Sequence, residues 1–134
     1  ELTNSDYSGL ALTPSENNDG LLTAIEIASS PINAELVSLA ACSTAAASKN
    51  DRDSLSGVVE GFIRAGAKNV LFTLWPVMSN PTKEINTKTF YYLKDGLKPD
   101  LALMNSLNDY LNTDHDDNHA YSPIVWSAYS IVGF

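Results

Sequence analysis

The sequence predicts an α/β fold in which a mostly parallel sheet is flanked by helices. Two short apolar runs, residues 36–40 and 69–75, have the length and composition of buried strands. Segments with helical spacing of apolar residues separate and follow these runs, and an aromatic-rich run, residues 125–132, has the pattern of a closing strand. Alternation of buried strands with helices is typical of a sheet whose strands are joined by crossover helices.

Length and composition limit the possible classes of protein. The 134 residues suffice for one domain, and the 44% hydrophobic content is enough for a core. The net charge of −8 argues against nucleic acid or an anionic membrane as a partner. A single cysteine excludes an internal disulfide and is compatible with a reducing compartment, so we expect a cytoplasmic location without membrane contact.

The first third of the chain predicts a short strand, a turn and a short helix. Residues 9–12 are apolar, and residues 13–20 are rich in turn formers. Thr23 and Glu26 have the spacing of a capping box, in which each side chain satisfies a free amide at the start of a helix. We expect that helix to end near Ser29, because Pro31 follows.

The middle of the chain predicts a helix between the two buried strands, after a polar loop that extends through Asp53. Gly66 is a plausible C-terminal cap, and Gly57 and Gly61 lie one turn apart within the helix. Each internal glycine disfavours a helix by about 1 kcal/mol relative to alanine, so we expect another backbone to approach closely there. The apolar face is formed by Leu55, Val58, Val59, Phe62 and Ile63.

Two further helices are predicted after the second strand. The first has Asn80 as its cap and Pro81 in its first turn, and ends between Lys94 and Gly96. Pro99 opens the second, whose apolar stripe contains Leu101, Met104, Leu107 and Leu111.

A polar loop, residues 112–122, carries both histidines. His115 and His119 lie four apart among aspartates, which would suit a metal ion. A solvated loop without bound metal is the favoured interpretation, because such polar runs are common surface connections.

Cys42 is the strongest candidate for a catalytic residue. It follows the first buried strand and precedes small residues that leave room for a substrate backbone. Reactive groups of parallel sheets lie at the carboxyl ends of strands, and a catalytic cysteine needs exposure and a nearby base. The alternative is a buried cysteine that acts only as a small apolar side chain.

Seven segments in order resemble the CHAT peptidases, which are relatives of caspases and separase. The segment Leu-Val-Ser-Leu-Ala-Ala-Cys-Ser-Thr at residues 36–44 resembles the strand that ends in the family's nucleophile. Thr-Leu-Trp-Pro-Val at residues 73–77 resembles the family's most recognisable motif. The other similar segments are residues 7–12, 21–23, 62–70, 96–99 and 126–133.

The resemblance implies a caspase-like three-layer sandwich, of which residues 1–134 are the C-terminal part and the N-terminal strands are lacking. It assigns Cys42 as the nucleophile of a Cys–His dyad and places the histidine upstream of these residues. Ala41, Ser43 and Trp75 would then contact the substrate, although a packing role for Trp75 is the simpler alternative. No cofactor or metal is expected.

The function implied is that of a cysteine endopeptidase that cleaves a protein partner under regulation. Without the histidine this chain is expected to be inactive alone, and its expected partners are the upstream half of the domain and a protein or peptide substrate. Trp126 is expected to anchor the last strand. Two alternatives stay open: a non-catalytic caspase-like scaffold or signalling module, and an unrelated domain with a redox cysteine.

Some relatives cleave after basic residues by means of an acidic pocket. The candidate acids are Asp6, Asp19, Asp51 and Asp53, but none lies in a segment that matches a family motif. The preferred residue at the cleavage site is therefore left open.

Overall fold

The computed structural model describes residues 8–39, 51–115 and 121–133, and it confirms a mixed α/β fold. The described helices are α1 (Ala24–Ser29), α2 (Asp51–Arg64), α3 (Ser79–Lys94), α4 (Pro99–Asn112) and the one-turn α5 (Pro123–Trp126). The described strands are β1 (Gly9–Ala11), β2 (Leu21–Thr23), β3 (Val37–Leu39), β4 (Asn69–Thr73) and β5 (Tyr129–Gly133). β1 and β2 form one sheet, and the other has the order β3-β4-β5.

The chain divides into two compact units. Among the described residues, the first unit contains residues 8–37, 51–70 and 133, and the second contains residues 38–39, 71–115 and 121–132. The assignment of residues 1–134 to one part of a single domain stays a prediction.

The first unit begins with an antiparallel hairpin. Gly9 of β1 lies opposite Thr23 of β2, and the predicted turn connects the two strands. Gly20 has a φ of +79°, a conformation that side chains disfavour, and its carbonyl accepts a 2.7 Å hydrogen bond from the Leu12 N–H. The sequence did not predict β2, because its three residues run directly into a helix and leave no room for a period-2 pattern.

The capping box at the start of α1 is confirmed. The Thr23 hydroxyl accepts from the Glu26 backbone N–H at 3.3 Å, and the Glu26 carboxylate accepts from the Thr23 N–H at 2.8 Å. These reciprocal bonds hold the pKa of Glu26 below its ordinary value, chiefly through the backbone hydrogen bond from Thr23. α1 ends at Ser29, as predicted.

α2 packs against α1 through a glycine contact. A Cβ added at Gly61 would lie 2.9 Å from the Ala24 carbonyl oxygen, so the expected close backbone approach is confirmed there. Gly66 follows the helix with a φ of +104°, as a C-terminal cap requires. The predicted apolar face is buried at Leu55, Val58, Val59 and Phe62, with Ile63 half-buried.

α2 begins at Asp51, so the loop predicted through Asp53 is too long. Polar residues are as compatible with a helix as with a loop, so the polarity of this segment alone did not distinguish the two. The apolar periodicity begins at Leu55, so it predicted only the part of the helix that packs into the core.

α3 begins at Ser79, one residue before the predicted cap. Met78 is the cap residue, and its carbonyl accepts from the Thr82 backbone N–H at 3.2 Å and from the Thr82 hydroxyl at 2.9 Å. The assignment of Asn80 as cap is wrong, because Asn80 already lies within the helix. Pro81 is in the first turn, as predicted. Backbone N–H groups of the first turn have no acceptor within the helix, so the absence of an N–H in proline removes no hydrogen bond there.

α4 opens at Pro99, as predicted, but it buries a different face from the predicted apolar stripe. Leu101 is 44% exposed and Met104 is 56% exposed. The buried face contains Ala102, Leu103, Ser106 and Tyr110. Small side chains on this face allow neighbouring residues to pack close to the helix. The Ser106 hydroxyl donates a 2.7 Å hydrogen bond to the Ala102 carbonyl, so this polar residue can be buried without an unpaired donor.

The closing segment is not one continuous strand. Ser122 and Pro123 start α5, whose turn is closed by the Ser127 N–H donating to the Pro123 carbonyl at 2.9 Å. The chain becomes extended only from Tyr129, in β5. The strand predicted over residues 125–132 is therefore wrong in its first half, because a proline at the first helical position favours a helical turn.

Candidate functional site

The predicted nucleophile and two of its neighbours lie outside the described residues. Ala41, Cys42 and Ser43 follow β3, whose last residue is Leu39. Leu39 is buried, which agrees with the buried strand predicted before the cysteine.

Trp75 is the predicted site residue that the structure does describe. β4 ends at Thr73, but the next amide, that of Leu74, still donates to the Ala128 carbonyl at 2.8 Å. Trp75 itself is half-buried, and its indole Nε1 donates to the Ile124 carbonyl at 2.7 Å. The segment after β4 is therefore held to α5 and to the residue before β5 by two hydrogen bonds.

Three exposed apolar side chains accompany Trp75, and the sequence did not predict them as site residues. Leu74 and Met78 flank the tryptophan along the chain, and Ile124 supplies its hydrogen-bond acceptor. All three are more than half exposed. Leu74 was assigned to a buried strand, and its exposure follows from the end of β4 one residue earlier.

His115 is held by aromatic residues at the end of α4. Its Nε2 lies 2.8 Å from the Tyr110 carbonyl oxygen, and its ring centroid is 4.4 Å from that of Tyr110. Its backbone N–H donates to the Tyr121 hydroxyl at 3.1 Å, and that hydroxyl donates to the Thr113 carbonyl at 2.9 Å. His115 is therefore packed against two tyrosines, while His119 lies outside the described residues.

The described residues offer no cluster of three or more His, Cys, Asp or Glu side chains that could hold a metal ion. Asp19, one of the four candidate acids, accepts a 2.9 Å hydrogen bond from the Leu21 N–H and so serves the hairpin of the first unit. Asp6 and the side chains of Asp51 and Asp53 lie outside what the structure describes.

Trp126 donates its indole N–H to the Tyr121 carbonyl at 3.3 Å. It belongs to α5, three residues before β5 begins with Tyr129, so it fixes the approach to the last strand. Within the described residues, no helix is both long enough and apolar enough to span a bilayer.

The family model of the CHAT domain matches residues 1–134. No curated protein and no solved structure matches the chain. A match along the whole length, in a chain whose segments follow the family's motifs in order, assigns the sequence: it belongs to the CHAT domain family, which is related to the caspase-like peptidases.

Proposed function

We propose that this chain is the nucleophile-bearing part of a cysteine endopeptidase and that Cys42 attacks the substrate. The observation that carries the proposal is the position of Cys42 three residues after β3, whose last residue Leu39 is buried, in a chain that matches the CHAT family throughout. The thiolate would attack the carbonyl carbon of the scissile bond, and the amine would leave with a proton from the dyad histidine. Water would then hydrolyse the acyl-enzyme and regenerate the thiol.

The proposed fold is the caspase-like three-layer sandwich with a mostly parallel sheet. Its support is the second sheet, whose strand order is β3-β4-β5, in a chain that matches the CHAT family throughout.

A histidine upstream of these residues would supply the base. The proposal does not use His115, whose Nε2 lies 2.8 Å from the Tyr110 carbonyl oxygen and whose ring contacts two tyrosines. The backbone N–H of Cys42 would stabilise the oxyanion, together with a second donor beside the upstream histidine.

Ala41, Ser43 and Trp75 would line the substrate channel. Trp75 suits this role because its hydrogen bond to Ile124 fixes the ring while part of its surface stays accessible. Ala41 and Ser43 are small, so a peptide backbone could pass beside them.

The upstream half of the domain is the proposed first partner. Among the described strands, β3 lies at the edge of its sheet, with β4 as its neighbour. An edge strand offers unpaired backbone groups that another strand can satisfy. A strand from the upstream half, ending near the catalytic histidine, would complete this edge.

The decisive experiment measures thiol reactivity and peptide cleavage in a protein that contains the upstream segment. The enzyme hypothesis predicts that iodoacetamide alkylates Cys42 with an apparent pKa well below the ordinary value of about 8.5 for a thiol. It also predicts cleavage of fluorogenic peptides, compared for Lys, Arg and Asp at the cleaved position, and loss of all cleavage in Cys42→Ala.

Two controls separate the enzyme from a scaffold. The 134-residue chain alone should alkylate with the pH dependence of an unactivated thiol, because the base is absent. Ordinary alkylation by the longer protein, with no cleavage of any peptide or of protein partners, would instead support the non-catalytic scaffold.

A further inference from the structure

The outer face of α3 is a basic, aromatic strip in an otherwise acidic chain. Residues 79–98 contain four of the eight basic residues but only two of the sixteen acidic ones. The solvent side of α3 is lined by Lys83, Thr87, Phe90, Tyr91 and Lys94, all exposed. Their spacing of three, four and seven places them along one side of the helix.

The two lysines of this strip carry charges that the described part of the chain does not neutralise. Lys68 and Lys88 form ion pairs with Glu35 and Glu84. Neither Lys83 nor Lys94 has a carboxylate within pairing distance among the described residues. In a chain with a net charge of −8, two unneutralised cations on one face form a local site for a negatively charged partner.

Two exposed aromatic rings lie between these charges. Phe90 is 48% exposed and Tyr91 is 62% exposed. The edge of Tyr91 meets the ring of Tyr92 with centroids 5.9 Å apart, and Tyr92 donates a 2.6 Å hydrogen bond to Asp109 on α4. Most of the surface of Tyr91 is therefore accessible to a partner, and exposed tyrosine rings are common anchors of protein interfaces.

From these observations we propose that the outer face of α3 binds an acidic segment of a partner protein. The segment carries an apolar side chain that packs on Phe90 and Tyr91, between two carboxylates that pair with Lys83 and Lys94. The eleven-residue separation of the lysines corresponds to about 16 Å along the helix. An extended peptide spans that distance in about five residues, so it would place its two acids about five positions apart.

Charge and composition favour a protein segment over nucleic acid or a membrane. The face has two unneutralised lysines, whereas nucleic-acid sites neutralise a series of phosphates. The remaining surface of the chain is acidic and would repel an extended polyanion or an anionic bilayer. A short acidic segment avoids that repulsion because it contacts the strip alone.

The test uses the 134-residue chain and fluorescein-labelled peptides. Each peptide has two glutamates, one on each side of a Leu-Phe pair, and the two glutamates are separated by about three to about eleven positions. A matched series has lysines in place of the glutamates. Fluorescence anisotropy should show the tightest binding near a separation of five, with the lysine series weaker by at least about tenfold. Raising the salt from about 0.05 M to about 0.5 M should weaken binding, because it screens the exposed charges.

Substitutions locate the peptide on the strip. The Lys83→Glu, Lys94→Glu double variant and the Phe90→Ala, Tyr91→Ala double variant should each lose at least about tenfold in affinity. Lys88→Glu is the charge control, because Lys88 lies off the strip and pairs with Glu84. Met104→Ala, on α4, is the control for exposed apolar surface. Thermal melting should show that all four variants are folded.

Several outcomes would overturn the proposal. These are equal binding of the two peptide series, and binding that survives both strip variants. Tighter binding of single-stranded DNA or of phosphatidylserine vesicles, lost in the same variants, would assign the strip to another class of partner. Concentration-dependent dimerisation that the strip variants abolish would assign it to a second copy of this chain.

Discussion

The indole nitrogen of Trp75 donates a 2.7 Å hydrogen bond to the carbonyl oxygen of Ile124, which lies 49 residues further along the chain. A half-buried indole needs such an acceptor, and the one it uses belongs to α5. The bond fixes the ring beside the end of β4. A phenylalanine could fill much of the same space but could not make this connection.

Trp75→Phe should therefore destabilise the protein by about 1 kcal/mol, the usual net value of a hydrogen bond. Urea unfolding, followed by circular dichroism, measures this loss. Trp126→Phe is the matched control, because its indole bond to the Tyr121 carbonyl is longer, at 3.3 Å, and should contribute less. An equal loss in the two variants, or none for Trp75→Phe, would show that the Ile124 bond does not hold this segment.

Gly61→Ala should destabilise the protein although alanine is the better helix former. The propensity gain is about 1 kcal/mol, but the added methyl would lie 2.9 Å from the Ala24 carbonyl oxygen. Because the obstacle is backbone, α1 and α2 must separate, and such overpacking typically costs about 1–3 kcal/mol. We expect a net loss in urea unfolding.

Ser56→Ala is the control for that substitution, because Ser56 is exposed on α2. It should be neutral or slightly stabilising. A stability of Gly61→Ala equal to or above that of the unsubstituted protein would mean that the two helices are not in close contact at this point.

Local chemical signals predicted part of the fold well. The capping box of Thr23 and Glu26, the close approach at Gly61 and the opening of α4 at Pro99 each depend on neighbouring residues or on one steric requirement. Such features can be inferred from sequence because they depend on a few residues and not on the packing of the whole chain.

The buried face of α4 could not be predicted in the same way. Apolarity favoured Leu101 and Met104, but the helix buries Ser106 and Ala102, because their small side chains permit close packing and the serine hydroxyl is satisfied within its own helix. Likewise, the bond of Trp75 depends on a carbonyl 49 residues away, which no local pattern encodes. The site assignment at Cys42 came from the resemblance and stays a prediction.

Tyr92 should make stability fall at alkaline pH. The hydrogen bond that Tyr92 donates to Asp109 raises the pKa of its phenol above the ordinary value of 10.0, because ionisation would remove the donor and place two negative charges together. A raised pKa contributes stability that is fully present below the unfolded value and is lost as pH rises through the folded value.

The measurement is a series of urea midpoints from about pH 8 to about pH 11. Tyr92→Phe should be less stable than the unsubstituted protein at the lower end and should lose less stability on going to the upper end. Tyr91→Phe keeps the Tyr92 bond and should retain the original alkaline decline. Parallel curves for the unsubstituted protein and Tyr92→Phe would contradict this role.

The capping box should give the opposite pH dependence. The pKa of Glu26 is lowered, so its contribution is present above the ordinary value of 4.5 and is lost as pH falls through the lower folded value. Glu26→Gln keeps a side chain that can accept from the Thr23 N–H but cannot titrate, so it should flatten the acid side of the stability curve.

Thr23→Ala removes the other half of the box and should destabilise the protein by about 1 kcal/mol at neutral pH. It should also reduce the acid-side slope, because Thr23 supplies the hydrogen bonds that lower the pKa of Glu26. Thr87→Ala is the matched control: its hydroxyl donates to the Lys83 carbonyl within α3 and caps nothing, so alanine should be tolerated there. If Thr87→Ala lost as much stability as Thr23→Ala, the effect would belong to threonine removal in general, and the reciprocal cap would not explain where α1 begins.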